Sequence, residues 1–225
     1  MTKIIQDLQE ARILLNEDPV KTEGGLSSGN AGESSNFLCY RALRLNYYAV
    51  TGLLARVCLY AGQRENAFNY STEVIKASNN GIFPFVDRSL VNGTAQDPDR
   101  IFSPEVLFAL SDSQRGELFE EYFDPSLAPN MVFRMETDLL EQTIYGGTGT
   151  GGNLDDYRCR SNWISSGSAR YFYKYSDMTE SGRIENTMIP LLRLGEMYLI
   201  AAESQSNSLA NGVSYINTWL VYQGR

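Results

Sequence analysis

The chain has 225 residues, a hydrophobic content of 43%, an aromatic content of 12% and a net charge of −8 at pH 7. This length allows one large domain or two small ones, and the hydrophobic content is sufficient for a core. The acidic balance argues against a nucleic-acid-binding surface, which requires clustered Lys and Arg. Because the sequence contains no histidine, it excludes Ser-His-Asp and Cys-His nucleophiles and histidine-ligated zinc.

The cysteines and the start of the chain show no sign of a metal site or an export signal. Cys39, Cys58 and Cys159 are far apart and form no CxxC pair, so we expect no metal and no cofactor. Cys58 lies in an apolar helical run, which indicates a small core residue. No stretch approaches the ~18 consecutive apolar residues of a membrane span, and no signal peptide follows Met1. We therefore expect any export signal or lipid anchor to lie outside this chain.

Apolar spacing predicts a helix at the beginning of the chain. Ile4, Leu8, Ala11 and Leu15 recur at intervals of three and four residues. Such intervals place the apolar side chains on one face of a helix. The predicted first helix covers Thr2–Leu15.

A helical hairpin follows. Leu45–Ala61 is apolar on more than one face, as expected of a helix that packs on several sides, and Gly62 ends it. Glu65–Ala77 has the pattern of a second helix. Ala55 and Ala67 stand twelve residues apart, which matches the small positions where tetratricopeptide helices cross closely. The alternative is any antiparallel helix pair.

A second hairpin is predicted near the C-terminus. Ile189–Glu203 is interpreted as one helix that begins at its proline. Val213, Ile216 and Leu220 mark the apolar face of the following helix. Ala201 and Val213 repeat the offset of twelve residues.

The proline-started helix is predicted to supply structural contacts. Its expected packing face consists of Met197, Tyr198, Ala201 and Ala202. Its charged residues are interpreted as structural ion pairs or solvated edges, namely Arg193, Glu196 and Glu203.

The intervening segment, about residues 82–188, has a different character. Val106–Leu110 and Tyr171–Tyr175 have the composition of strands, and Gly146–Asn153 is a glycine-rich loop. The predicted fold is therefore mainly α, with tetratricopeptide-like helical hairpins interrupted by an irregular insertion with a few short strands. The hairpin regions lie at about 2–15, 40–78 and 189–222.

Six segments of the sequence together carry a likeness to a known family. They are Ile4–Ala11, Leu45–Ala67, Ser103–Leu110, Asp156–Arg158, Phe172–Tyr175 and Ile189–Glu203. In this order they resemble the motifs of the SusD/RagB family of surface glycan-binding lipoproteins. The last segment, which reads IPLLRLGEMYLIAAE from residue 189, is similar to the signature helix of that family. The chain departs from the family pattern after Thr218, and family members are generally about twice as long. We therefore expect residues 1–225 to form a single partial SusD-like domain.

The resemblance implies a function at the cell surface. It implies non-catalytic capture of an oligosaccharide or polysaccharide at the outer membrane. The captured glycan would pass to a SusC-like TonB-dependent transporter, on which the family sits as a lid. Contact with the membrane would be made only through a lipid anchor that this chain lacks. Sugar rings would stack on Tyr and Trp faces, while polar side chains would bind their hydroxyls.

Aromatic residues in the insertion are the candidates for this stacking. Trp163 is the first choice, because Asn162 and a loop rich in Ser and Gly flank it. Tyr145, beside the glycine run, and Tyr157 are the next candidates. The alternative for each aromatic residue is local packing between helix and insertion. Four tyrosines on helical stripes are instead assigned to the core, namely Tyr47, Tyr48, Tyr60 and Tyr70.

Two other functions stay open at this point. A carboxylate-dependent glycosidase would draw on the acids of Glu120–Asp124 and Asp155–Asp156, although adjacent acids do not readily face one site. A tetratricopeptide-type protein-interaction module would have no glycan site, but the long insertion argues against such a module. Asp156 and Arg158, interpreted as two apart on a strand, are expected to pair with neighbouring residues and not to serve as ligands.

Overall fold

The computed structural model describes residues 1–28, 37–91, 97–146, 154–180, 182–205 and 208–224. Its α-helices are α1 (Thr2–Leu14), α2 (Val20–Glu23), α3 (Tyr47–Tyr60), α4 (Arg64–Asn79), α5 (Arg88–Val91), α6 (Arg115–Tyr122), α7 (Tyr157–Asn162), α8 (Leu194–Ser204) and α9 (Leu209–Tyr222). Its strands are β1 (Val106–Ser111), β2 (Arg134–Glu136), β3 (Trp163–Ser166), β4 (Ala169–Phe172) and β5 (Met188–Arg193). Short 3₁₀-helices lie at Arg41–Leu43, Ser103–Glu105 and Ile184–Thr187, and a π-helix covers Leu139–Ile144. The prediction of a mainly helical fold with a few short strands is confirmed.

The chain divides into two compact units. Unit one comprises Met1–Phe85, Pro104–Leu110 and Pro190–Trp219, and unit two comprises Val86–Ser103, Ser111–Ile189 and Leu220–Arg225. The single partial domain over residues 1–225 stays a prediction. Residues 147–153 of the predicted glycine-rich loop lie outside the described residues. Within the described ranges, no helix is long and apolar enough to cross a membrane.

The first predicted hairpin is present in unit one as α3 and α4. Ala55 and Ala67 are both fully buried in the core that these helices share, as expected of small residues where helices cross closely. The side chain of Asn46 accepts a hydrogen bond from the Ala49 N–H and so caps the beginning of α3. Gly62 follows α3 with a φ of 74°, a left-handed conformation that glycine adopts without steric cost.

One tyrosine of this hairpin was predicted wrongly. Tyr47 and Tyr48 are buried, but Tyr60 is 75% exposed. Tyr60 is the last residue of α3, where one more helical step turns the side chain away from the core. Cys58 is fully buried, as predicted.

The predicted helix over Ile189–Glu203 is wrong in its first third. Residues up to Arg193 form β5, which pairs with β1, and α8 begins only at Leu194. Proline disfavours helical geometry at the preceding residue, and it is tolerated near the start of an edge strand. Pairing with β1 therefore outweighs the local helical pattern.

The expected packing face of α8 is confirmed, since Met197, Tyr198, Ala201 and Ala202 are buried. The charged residues near it form structural pairs within unit one. Arg193 Nη2 lies 3.2 Å from Glu105 Oε2, and Arg56 Nε lies 2.6 Å from Glu196 Oε1. Glu203 is exposed.

The second helix of the C-terminal hairpin presents a different face from the predicted one. Val213 and Ile216 are 42% and 37% exposed, whereas Gly212 is buried. A Cβ at position 212 would lie 2.9 Å from the carbonyl oxygen of Ala202. The close approach of α9 to α8 therefore depends on Gly212, and the predicted role of Val213 at this crossing is wrong.

A buried ion pair fixes the chain before α3. Arg41 donates to Asp18 through Nε and Nη2 at 3.0 and 2.7 Å, and both side chains are almost inaccessible. Asp18 also accepts from the backbone N–H groups of Val20 and Tyr47. Four donors satisfy this carboxylate, which is what a charge in a core requires.

Unit two contains a three-stranded antiparallel sheet in the order β2-β4-β3. Trp163 stands directly opposite Phe172, and Met135 stands opposite Arg170. Since directly paired residues point to the same side and alternate residues share a face, Trp163, Phe172 and Met135 lie on one face. Tyr171 lies on the opposite face, where it is buried with Val132.

Candidate functional site

An aromatic cleft lies on the first of these sheet faces. Its volume is about 350 Å³, which is within the range of small-molecule sites. The lining is almost wholly apolar and comes from four separate segments of unit two. The lining residues are Phe123, Phe133, Arg134, Met135, Trp163 and Phe172.

Strand register explains how three of these residues meet. Trp163 begins β3, directly after α7, and is paired with Phe172 at the end of β4. Met135 in β2 reaches the same face from the other side of β4. The sheet therefore brings together residues that are up to 37 positions apart (172 − 135).

Two phenylalanines extend the face beyond the sheet. Phe123 follows the end of α6, and Phe133 precedes β2. The N–H of Phe133 donates to the Tyr122 carbonyl at 2.8 Å, which holds the two segments side by side. Phe133 is 64% exposed, so its ring forms the open edge of the cleft.

The rings form a continuous series. The centroids of Trp163 and Phe172 are 5.1 Å apart, those of Phe172 and Phe123 are 5.6 Å apart, and those of Phe123 and Phe133 are 5.6 Å apart. The interplanar angles are 57°, 60° and 35°. Neighbouring rings are thus tilted and do not form one flat surface.

Tyr145 lies beside Trp163. Burial, and after it the nearby Asp156 carboxylate, raises the pKa of the Tyr145 hydroxyl. The indole N–H of Trp163, which can only donate, has the opposite and smaller effect on that pKa. Tyr145 is half-buried and does not line the cleft.

The other two predicted site residues lie outside the cleft lining. Tyr157 packs beside Val86, Val91 and Phe102, and its N–H donates to the carbonyl of Gln223 at 3.0 Å. Asn162 is buried and accepts a hydrogen bond from the Ser161 hydroxyl. The structure therefore places Trp163 in the cleft and Tyr145 behind it. Tyr157 and Asn162 have local packing contacts.

Asp156 and Arg158 do not lie on a strand. Asp156 caps the beginning of α7 by accepting from the Arg158 N–H, and Arg158 Nη2 lies 2.5 Å from Asp156 Oδ2. Their carboxylate and guanidinium pair with each other within the first turn of a helix. The neighbouring Asp155 forms an ion pair with Arg160. The acids of this segment are thus engaged in structural contacts.

Sequence reasoning missed five of the six lining residues. Phe172 ends β4, which includes only the first two residues of the segment predicted as a strand, and alternation along β4 separates Arg170 and Phe172 from Ala169 and Tyr171. That alternation could have placed Phe172 on the exposed face. Nothing in the sequence pairs it with Trp163, because register between strands is a tertiary property.

Comparison with known proteins concerns mainly the fold. No protein-family model matches the sequence, and no curated protein matches it. Among solved structures, a SusD-like carbohydrate binding protein from Bacteroides vulgatus superposes with a TM-score of 0.54 at 19% identity, over 98% of this chain. A SusD superfamily protein from the same organism superposes with a TM-score of 0.58 at 20% identity, also over 98% of this chain. The chain has a SusD-like fold. A further Bacteroides vulgatus protein, whose description proposes sugar binding, matches with a TM-score of 0.61 at 23% identity, over 99% of this chain.

The SusD-like fold is matched over only part of those proteins. The chain spans 42%, 45% and 44% of their respective lengths. The resemblance inferred from the six sequence segments is therefore supported at the level of the fold.

Proposed function

We propose that this chain belongs to a non-catalytic glycan-binding protein and that the aromatic cleft of unit two is a sugar-binding site. The observation that carries the proposal is the pairing of Trp163 with Phe172 on the half-buried sheet face that lines the cleft, continued by Phe123 and Phe133. Aromatic faces bind the C–H faces of sugar rings and release water from both surfaces. Two of the solved structures above are described as carbohydrate or sugar binding, which agrees with this chemistry.

The cleft has binding features and lacks those of a hydrolase. Its lining includes no carboxylate side chain, whereas glycoside hydrolysis commonly requires a pair of carboxylates across the scissile bond. The acids considered for such a pair include Asp155 and Asp156, which are held by Arg160 and Arg158. This arrangement supports capture without bond cleavage.

The proposal extends to the place of this protein in nutrient uptake. By its SusD-like fold, the protein would capture oligosaccharides or polysaccharides at the outer-membrane surface through a lipid anchor. It would then deliver them to a SusC-like TonB-dependent transporter. These steps rest on the resemblance alone, and the cleft supports only the binding step.

The binding step is tested by titrating the chain with a panel of oligosaccharides in a calorimeter. Trp163→Ala is expected to weaken binding of any positive glycan at least about tenfold, as for a central aromatic contact in a binding site. Tyr60→Ala is the matched control, because Tyr60 is an exposed aromatic residue in unit one. Equal affinities of the wild type and Trp163→Ala, or no binding to any glycan, would show that the cleft is not a sugar site. Product analysis after long incubation tests the absence of hydrolysis.

A further inference from the structure

The sheet face that carries the aromatic pair continues into a polar region. Trp163 and Phe172 are directly paired, and so are Ser165 and Arg170. Since alternate residues of a strand share a face, the second pair lies on the same side of the sheet as the first. Arg170 also stands opposite Met135, which lines the cleft. It lies two residues from Phe172, which is about 7 Å along an extended strand. Polar side chains therefore follow directly on the aromatic end of this face.

A carboxylate joins this polar region. Glu141 belongs to the π-helix after β2, and its Oε1 accepts a hydrogen bond from Arg170 Nη2. The side chains of Arg170 and Glu141 are 25% and 19% exposed, so the pair is partly shielded and still accessible to a ligand. Ser165 is exposed. This face thus offers N–H donors, carboxylate oxygens and a hydroxyl beside the aromatic rings.

The contact between Arg170 and Glu141 is less complete than other ion pairs of this protein. Among the described residues, Arg170 donates to Glu141 through Nη2 alone, and its buried Nε has no hydrogen-bond partner. A guanidinium has five N–H groups, so Arg170 keeps donors that no described protein acceptor uses. A ligand that supplies acceptors at such a site gains free energy. Three structural arginines each donate to one carboxylate through Nε and Nη2 together, namely Arg41, Arg56 and Arg158.

The combination of a guanidinium with a carboxylate favours a neutral sugar over an acidic one. A hydroxyl group both donates and accepts, so two neighbouring hydroxyl groups of one sugar can bind Arg170 and Glu141 together. A uronic acid carboxylate would meet the like charge of Glu141, and its contact with Arg170 would compete with the existing pair. The net charge of −8 acts in the same direction.

We propose that Arg170 and Glu141 form the polar edge of the sugar-binding cleft and select neutral glycans. One sugar ring would lie against Trp163 and Phe172, while neighbouring hydroxyl groups accept from Arg170 and donate to Glu141. This inference rests on the proposed glycan binding. It deepens that function, because it names the ligand class and two residues beyond the cleft lining that determine it.

The test compares saccharides that differ in charge on the same backbone. Cellotriose and its acid, oxidised at every C6, form the first pair. The methyl ester of trigalacturonic acid and the free acid form the second. In calorimetric titrations of the whole chain at neutral pH, we expect the neutral member of at least one pair to bind about tenfold or more tightly. That ratio corresponds to one like-charge contact that is avoided.

Glu141→Gln tests the role assigned to the carboxylate. It keeps the side-chain shape and one oxygen acceptor but removes the charge, so the ratio of neutral to acidic affinity within the selective pair is expected to fall severalfold. The acidic member should account for most of this change by binding more tightly. Glu185→Gln is the matched control, because Glu185 is a half-buried carboxylate of unit two that pairs with Arg183 outside the cleft lining. It changes the net charge equally and should leave the ratio unaltered.

The double variant Arg170→Met/Glu141→Gln tests the donors without leaving a partly buried charge unpaired. We expect the neutral member to bind about tenfold more weakly, because hydrogen bonds to charged groups are lost, and neither member to be preferred. Trp163→Ala should instead weaken both members alike and keep their ratio. Circular dichroism of all variants checks that the fold is kept.

The outcomes separate this inference from the proposed function. If glycans bind through Trp163 but the double variant binds them as the wild type does, the polar edge is wrongly assigned and glycan binding stands. Equal affinities within both pairs, a preference for an acidic member, or a ratio that survives Glu141→Gln would overturn the selection of neutral glycans. If no saccharide of the panel or of the two pairs binds, both the inference and the proposed function fail.

Discussion

Trp163 and Phe172 occupy directly opposite positions on β3 and β4, and their ring centroids are 5.1 Å apart. The pair lies on the face of the sheet that lines the cleft. One strand register therefore creates the central element of the candidate site. Register, rather than residue type alone, is what makes these two aromatics a surface that a ligand can use.

Removal of one ring of this pair should expose the other to water. We expect Phe172→Ala, in a Trp219→Phe background that leaves Trp163 as the sole tryptophan, to shift the fluorescence emission to longer wavelength. The physical reason is that the Phe172 ring shields the indole from solvent. Affinity for a bound glycan should fall about tenfold. Phe37→Ala, which removes an exposed ring in unit one, should change neither quantity, and an unchanged emission in Phe172→Ala would contradict the packing described here.

Loss of the Tyr145 hydroxyl should affect Trp163 without changing the cleft lining. Tyr145→Phe removes the hydroxyl that lies beside the indole N–H, and the loss of one buried polar contact is expected to lower the free energy of unfolding by about 1 kcal/mol. The remaining indole should be less well oriented, so glycan affinity should decrease as well. Urea unfolding and calorimetric titration measure the two effects. Tyr60→Phe, with an exposed hydroxyl, is the control, and equal losses in both variants would argue against the positioning role of Tyr145.

Gly212 should be intolerant of even one added carbon. Alanine is a better helix former than glycine by about 1 kcal/mol, but its Cβ would meet the Ala202 carbonyl oxygen at 2.9 Å. Because that oxygen belongs to the backbone, α8 and α9 must separate, and we expect Gly212→Ala to destabilise the chain by about 1–3 kcal/mol. The urea midpoint followed by far-ultraviolet circular dichroism measures this. Asn211→Ala on the exposed side of α9 should be neutral or slightly stabilising, and a stabilised Gly212→Ala would refute the close crossing.

The buried pair of Asp18 and Arg41 should contribute far more to the free energy of unfolding than a surface ion pair does. Asp18→Asn leaves the buried guanidinium of Arg41 without a counterion, at an expected cost of about 3 kcal/mol in the free energy of unfolding. Asp7→Asn removes the acid of the exposed Lys3–Asp7 pair and should cost less than about 0.5 kcal/mol. Denaturant titrations of the two variants under the same conditions make the comparison. Similar small losses in both would mean that the Asp18–Arg41 pair contributes little to stability.

The residues that were predicted correctly carry their information locally. Ala55 and Ala67 lie on helices whose apolar spacing is visible within a few turns, and Gly62 marks the end of α3 by its own conformational freedom. The strand at Val106–Leu110 is similarly evident from its composition. In contrast, Ile189–Arg193 has a helical pattern but forms β5, because a partner strand about 80 residues earlier supplies its hydrogen bonds.

The candidate site also combines a residue that the local sequence identifies with residues that only the fold brings together. Trp163 could be selected from the sequence because a tryptophan beside small polar residues suits sugar binding. Phe123, Phe133 and Met135 could not, because each is an ordinary apolar residue until the fold places it beside the others. Tyr157 is also an aromatic residue of a type that suits sugar binding, yet its ring packs with Val86, Val91 and Phe102.

The sequence by itself determined α1, α3 and α4, the close crossing at Ala55 and Ala67, and the likeness to the SusD/RagB family, because periodicity, end signals and motif order are properties of short segments. The tertiary structure decided that Gly212 and not Val213 meets α8, that β5 replaces the first third of a predicted helix, and that four distant segments form one aromatic cleft. These features depend on strand register and on which side chains share a face. Both are set by contacts between residues far apart in the chain.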